Sequence, residues 1–139
     1  MKKLGKIFLV LFVLMAIAAL FIMYQPKYST AGIEPDFQVK IGQLYQAFDK
    51  NEGKANQQYV GKVVETSGYI NEVSKDVTGA TVLLLSKTKK GDPILLCTLD
   101  PKHNSPSADV LTIGNQVNLK GQCTGMLMEV VLKNGILLE

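Results

Sequence analysis

The sequence predicts a mainly β body, a small closed barrel of five strands with one helix packed on it, preceded by a separate apolar helix. Three observations carry this. Seventeen consecutive apolar residues, Ile7–Met23, stand behind Lys2, Lys3 and Lys6. One segment, Phe37–Phe48, has apolar residues at helical spacing. Nearly everything after Tyr59 reads as short strands punctuated by glycine and proline.

The apolar run comes first. A hydrocarbon core takes roughly 17–25 helical residues to cross, and a secretory h-region nearer 7–15. Ile7–Met23 reaches the first range and exceeds the second. It has no polar face, so it is not an amphipathic helix of a domain surface. Three lysines precede it and only Lys27 follows closely, which keeps the N-terminus in the cytoplasm and puts the body outside. Residues 1–24 are therefore expected to be a single-pass signal anchor or transmembrane helix. The rival is a cleaved signal peptide and a secreted body. Ser29-Thr30-Ala31 has the small-x-small form of a cleavage site, but Ala31 lies eight residues past Met23. No cysteine follows the run closely, which excludes lipoprotein processing.

Residues 25–35 hold two prolines and a glycine without periodicity and read as a spacer. The remaining 36–139 suffice for one domain with its own core. Asp36 is positioned to cap a helix whose apolar face is Phe37, Ile41, Leu44, Tyr45 and Phe48. That helix runs to about Asn51, or to Gln58 if it continues through Gly53. Tyr59–Val73 is a long strand with Gly68 at its middle, where a bend would let it serve two sheets. Thr81–Ser86 and Ile94–Leu99 are the next strands, joined by the polar turn Lys87–Pro93. Asp100–Gly114 is a variable connection with room for one helical turn at Ala108–Ile113. Gln116–Cys123 alternates as a strand. Met126–Leu132 and Ile136–Leu138 flank Lys133-Asn134-Gly135, either a last strand with a bulge or a strand ending in a turn. Five strands with the interruption between third and fourth is the order of an OB-fold barrel. An SH3-like barrel or a small sandwich fits the same count.

The charge is unevenly placed. The formal net charge is +3, and Lys2, Lys3, Lys6 and Lys27 against Glu34 account for all of it. From Asp36 onward eleven lysines meet eleven acidic residues, and the chain has no arginine. Guanidinium is the preferred bidentate group for phosphate and guanine. A neutral body without it is a poor partner for nucleic acid, whose binding rests on phosphate neutralisation.

Two stretches, Tyr59-Val60-Gly61-Lys62 through Gly68-Tyr69-Ile70 and Lys120-Gly121-Gln122-Cys123-Thr124-Gly125, resemble the tRNA_anti-like family, a group of exported bacterial OB-fold proteins. The likeness extends to Leu96-Cys97-Thr98 and Glu129-Val130-Val131-Leu132, and covers about residues 37–139. It implies an OB-fold domain outside a bacterial cytoplasmic membrane, and no activity. Members often carry a further cysteine near the last strand, where this chain has Asn134-Gly135, and many are lipidated.

Few residues suggest chemistry. Cys97 and Cys123 are in phase with inward apolar neighbours, and read either as a disulfide suited to an oxidising compartment or as two buried free thiols. Their spacing is not that of a redox motif. His103, the only histidine, falls short of a zinc ligand set and reads as a solvated loop residue. Lys87, Lys89 and Lys90 share one turn and could meet anionic groups. Tyr69 and the loop Ser74–Ala80 mark the usual OB ligand face. The expectation is a membrane-anchored, non-enzymatic binding module without cofactor or metal, its ligand an unidentified envelope protein or molecule. The alternatives are single-stranded nucleic acid or oligosaccharide binding on the same face, and an enzyme of unfamiliar residues.

Overall fold

The computed structural model describes residues 2–23, 29–103, 106 and 109–139. An apolar helix α1 (Lys2–Met23) precedes a short strand β1 (Phe37–Gln38), helices α2 (Ile41–Lys50) and α3 (Glu52–Tyr59), and strands β2 (Val63–Lys75), β3 (Thr81–Ser86), β4 (Pro93–Leu99), β5 (Gln116–Met126) and β6 (Val130–Leu138). The sheet order is β1-β2-β3-β4-β6-β5, and β5 pairs back onto β2. Strands β2 to β6 thus close a five-stranded barrel, antiparallel throughout except for the parallel pair β4–β6. That is the OB arrangement, and closure removes the sandwich reading.

Gly68 does what the sequence suggests. β2 pairs with β5 from Val63 to Tyr69 and with β3 from Tyr69 to Lys75, so the change of partner falls beside the glycine. A Cβ at Gly68 would come within 2.9 Å of Ile41 Cδ1, 3.1 Å of the Ser86 carbonyl oxygen and 3.2 Å of Leu85 Cβ. The missing side chain is the space into which the first residue of α2 fits. Ile41, Leu44 and Phe48 are the buried face of α2 and join Leu85, Leu95, Val130 and Leu132 in one core.

Several elements differ from expectation. The helix starts at Ile41, not at Asp36, because the Asp36 carboxylate accepts the Val63 N–H at 2.9 Å and the chain there is extended alongside β2. Phe37 consequently lies on a strand, its ring edge-on to Tyr59 at 5.1 Å. Asn51 (φ −155°, ψ 87°) divides the helix in two, its N–H closing α2 on the Ala47 carbonyl while its side chain accepts from Lys54 N–H and opens α3. Tyr59 therefore ends a helix instead of beginning a strand. Ala108 lies outside the described residues, and Asp109–Ile113 forms turns and no helix. Leu127–Glu129 is the β5–β6 turn, closed by Leu127 N–H on Glu129 C=O. Of the two readings of Lys133-Asn134-Gly135 the bulged strand holds, with Asn134 at φ 52°.

The stretch read as a spacer is the largest departure. Residues 24–28 lie outside the described residues, but Thr30 is fully buried and Ile33 C=O accepts from Lys120 Nζ at 2.7 Å. From Ser29 on, this stretch is bonded to the barrel.

α1 has 22 residues, and its apolar side chains are exposed along its length, Phe8 at 79% and Phe21 at 75%. Its side chains are described from Gly5 to Phe21, and among the described residues no helix is long and apolar enough to cross a membrane.

Two substitutions test the packing. Gly68→Ala should lower stability by about 1–3 kcal/mol, read by denaturant unfolding, because the added methyl meets α2 and β3 together. Thr66 faces inward beside Val64, and its hydroxyl is buried without a hydrogen-bond partner. Thr66→Val should stabilise the barrel, by about 1 kcal/mol in the same measurement.

Candidate functional site

The partner switch of β2 leaves a cleft of about 430 Å³ between α2 and the barrel. Its walls carry Lys40, Gln43 and Gln46 from α2 and its approach, Ser67 and Tyr69 from β2, Lys87 just beyond β3, and Gln116 from β5. Each is placed by the fold. Tyr69 is the residue paired to both Gln116 and Ser86. Lys87 reaches across the first turn of α2 because Gly42 has no side chain: a Cβ there would stand 3.2 Å from Lys87 Cδ. Lys40, Gln43 and Gln46 recur every third residue and line one side of α2.

Electrostatically the cleft favours negative charge. No carboxylate lines it, and the first turn of α2 holds no acidic residue. Among the described residues neither Lys40 nor Lys87 is in an ion pair. The lining therefore offers ammonium, amide and hydroxyl donors suited to a small oxygen-rich or anionic group.

Of the residues singled out in the sequence, the structure brings Tyr69 and Lys87 together. Lys89 turns away and lies over the Gly114 turn, its Cε 3.0 Å from where a Cβ would be. Lys90 is exposed and not part of the cleft. The loop 76–80 is at the opposite end of the barrel, where the Asp76 carboxylate accepts from Thr78 N–H, Thr78 Oγ1 and Ala80 N–H. Lys40, Gln43, Gln46 and Gln116 were missed. The signal available was the polar i, i+3, i+6 row opposite the apolar face of α2.

The outer face of β3, β4 and β6 is aliphatic. Leu84 pairs with Leu96, Leu96 with Val131 and Val82 with Thr98, all half-buried. It lacks the aromatic rings on which single-stranded bases stack.

The two cysteines are free and buried. The disulfide reading is corrected by register: both pair with Leu132, so β6 lies between them. Two strand spacings are about 10 Å, beyond the ~7 Å that a disulfide spans. Burial pushes the Cys97 thiol up to about 12, and raises Cys123 against a partial offset from the Gly125 backbone.

His103 is not merely solvated. Its Nδ1 lies 2.9 Å from Asp100 Oδ2 and 3.3 Å from Ser29 Oγ, and Ser29 Oγ donates to Asp100 Oδ2 at 3.1 Å. A serine, a histidine and an aspartate thus meet, but serine and aspartate share one ring nitrogen. Nucleophile activation needs them on opposite nitrogens. The cluster instead holds Ser29 against the barrel, beside the bond from Thr30 Oγ1 to the Asn134 carbonyl. Burial works upward on the Asp100 carboxyl, and the Lys102 N–H, His103 and Ser29 outweigh it, so its value falls below the ordinary 3.8. Among the described residues no three metal-ligating side chains converge.

A family model named tRNA_anti-like matches residues 1–136. The chain belongs to the tRNA_anti-like family. The match takes in the N-terminal helix as well as the barrel, further than the likeness read from the motifs. No curated protein matches the chain. Among solved structures, a protein of Klebsiella pneumoniae described as a "putative nucleic acid-binding lipoprotein" superposes with a TM-score of 0.60 at 24% identity, covering 73% of this chain and 91% of its own. At that identity the likeness is one of fold.

Both thiols should resist alkylation in the folded protein at pH 8 and react fully once it is unfolded, as read by intact mass. The stabilisation that Asp100 supplies is complete above the ordinary carboxylate value and is lost as pH falls through its lowered folded value. Asp100→Asn should accordingly melt less steeply with acidification over that window than the parent protein.

Proposed function

We propose that this tRNA_anti-like protein is a non-catalytic binding module, held on the outer side of the cytoplasmic membrane by α1, that receives a small anionic or oxygen-rich envelope ligand in the Tyr69–Lys87 cleft. The observation that carries the reading is the lining of that cleft, two unpaired lysines among amide and hydroxyl donors with no carboxylate. The barrel interior supports the non-catalytic part, since Ile70, Leu83, Leu85, Leu95, Leu119 and Leu132 fill it at 0% exposure. A side-chain-filled barrel leaves no interior pocket for a substrate.

Support for the anchor comes from sequence and surface. The run Ile7–Met23 is apolar without interruption behind three lysines, and the described apolar side chains of α1 are exposed. Retention of α1 is favoured over cleavage after Ala31, which would remove Ser29 and the buried Thr30 from the folded domain.

Single-strand nucleic-acid binding is the second reading, favoured by the description of the Klebsiella protein. A body without arginine and an aliphatic β3–β4–β6 face stand against it.

Full-length protein in a bacterial host should stay in the membrane pellet after carbonate washing, and its barrel should be reached by protease added to spheroplasts. Release into the soluble fraction at intact mass ends the anchor. Native mass spectrometry of the detergent-extracted protein should find a bound small molecule that Lys40→Glu with Lys87→Glu removes; a bound species unaffected by that pair moves the site elsewhere. Retention of single-stranded DNA at 50 mM salt, lost by 200 mM, would favour the second reading.

A further inference from the structure

Where α1 stops and where the barrel begins are close together in sequence, and the barrel begins at one end. Met23 is the last helical residue and Ser29 the first described residue beyond it. Six Cα–Cα steps separate them, at most about 22 Å even fully extended. Were the chain undocked up to Asp36, thirteen steps would reach about 47 Å, and the barrel could turn any side to the bilayer. The docking of Ser29 and Thr30 cuts that reach by more than half.

The docking points define an end. Asp100 follows β4, and its N–H bonds the Gly135 carbonyl. Thr30 reaches Asn134 in the same bulge. Thr98 pairs with Val82, so the β2–β3 loop with its tip Val77 belongs to this end. The β5–β6 turn belongs to the other, because Leu95, near the start of β4, pairs with Val130. From Thr30 the chain climbs the barrel wall, tied by Lys120 to Ile33, until Asp36 meets Val63 and α2 starts over Gly68. Val77 and Leu127 are both exposed, at opposite ends.

We infer that Ser29 and Thr30 form a clasp that sets the barrel's orientation on the membrane, with the Asp100 and Val77 end toward the lipid head groups and the Leu127–Met128 turn pointing away. This rests on the membrane-held reading above. The clasp side chains do not touch the cleft. They act by position, bringing the first docked residue of the barrel domain to within six Cα–Cα steps of α1. Lys102 and Val77 are exposed at this end, while the Asp76 and Asp100 carboxylates are bonded internally.

The test uses the full chain in phosphatidylcholine vesicles containing a head-group energy-transfer acceptor. V77C and L127C accept one fluorophore each, since the native thiols are buried. Donor quenching should be several-fold stronger at position 77 than at 127. Ser29→Ala with Thr30→Ala should bring the two positions together without unfolding the barrel, checked by melting, and Thr30→Ser alone should keep them apart. Protein that floats with the vesicles yet shows equal or reversed quenching in the otherwise unaltered chain overturns the orientation and leaves the anchor intact. Protein that does not float with the vesicles overturns the anchor, and the orientation with it.

Discussion

The contact between Ile41 and the bare backbone of Gly68 is the constraint on which the rest depends. A barrel of five strands needs one strand long enough to pair on both sides of the seam, and β2 does so only by changing partner within a residue of Gly68. The bend opens a gap at the barrel end, and a gap in a hydrophobic core must be filled. α2 fills it, and any side chain at position 68 would displace it. The same bend leaves Tyr69, Ser67 and Gln116 facing the first turn of α2 across open space. The candidate cleft is therefore a by-product of closing the barrel rather than a separate construction.

Polar groups are placed with the same economy. At the far end from α2, Ser29, Asp100, His103, Thr30 and the Asn134 carbonyl satisfy one another. This turns what composition marks as a flexible leader into a fixed part of the domain. The buried cysteines, by contrast, behave as small apolar side chains. Both flank Leu132, and neither touches water enough to ionise near neutral pH. A compartment that permits disulfides does not create one where a strand intervenes.

Legibility in the sequence followed the physics of each signal. Periodicity located Thr81–Ser86 to the residue and the buried face of α2 correctly, since burial on one face is what periodicity reports. Gly68 was legible because a glycine in the middle of an alternating strand costs stability unless geometry requires it. The start of α2 was not. Asp36 has the chemistry of a helix cap, and that same carboxylate accepts an amide from a strand brought close only by the tertiary fold. The end of α2 at about Asn51 was legible, and a separate helix, α3, follows it with Asn51 as its cap. Of the site, Tyr69 and Lys87 could be named but not joined to Lys40, Gln43 and Gln46, because their meeting depends on where α2 lands. The docking of residues 29–35 had no local signal, its partners being 71 to 104 positions distant.

Size and charge bear on the two proposed ligand classes. Each lysine that neutralises a phosphate contributes a salt-dependence slope of about 0.7–0.9, and a polymer bound usefully at physiological salt needs several such contacts in a row. The cleft offers two, Lys40 and Lys87, and the turn that could have extended them sends Lys89 over Gly114 instead. Beyond the cleft the surface turns aliphatic along Leu84, Leu96 and Val131, where a sugar-phosphate backbone gains nothing and a protein segment could be covered. For the binding role proposed above, a short anionic group held at one point suits this lining better than a polymer does. A nucleic-acid strand would meet two lysines at the cleft and then run onto a face that offers it neither charge nor a stacking ring.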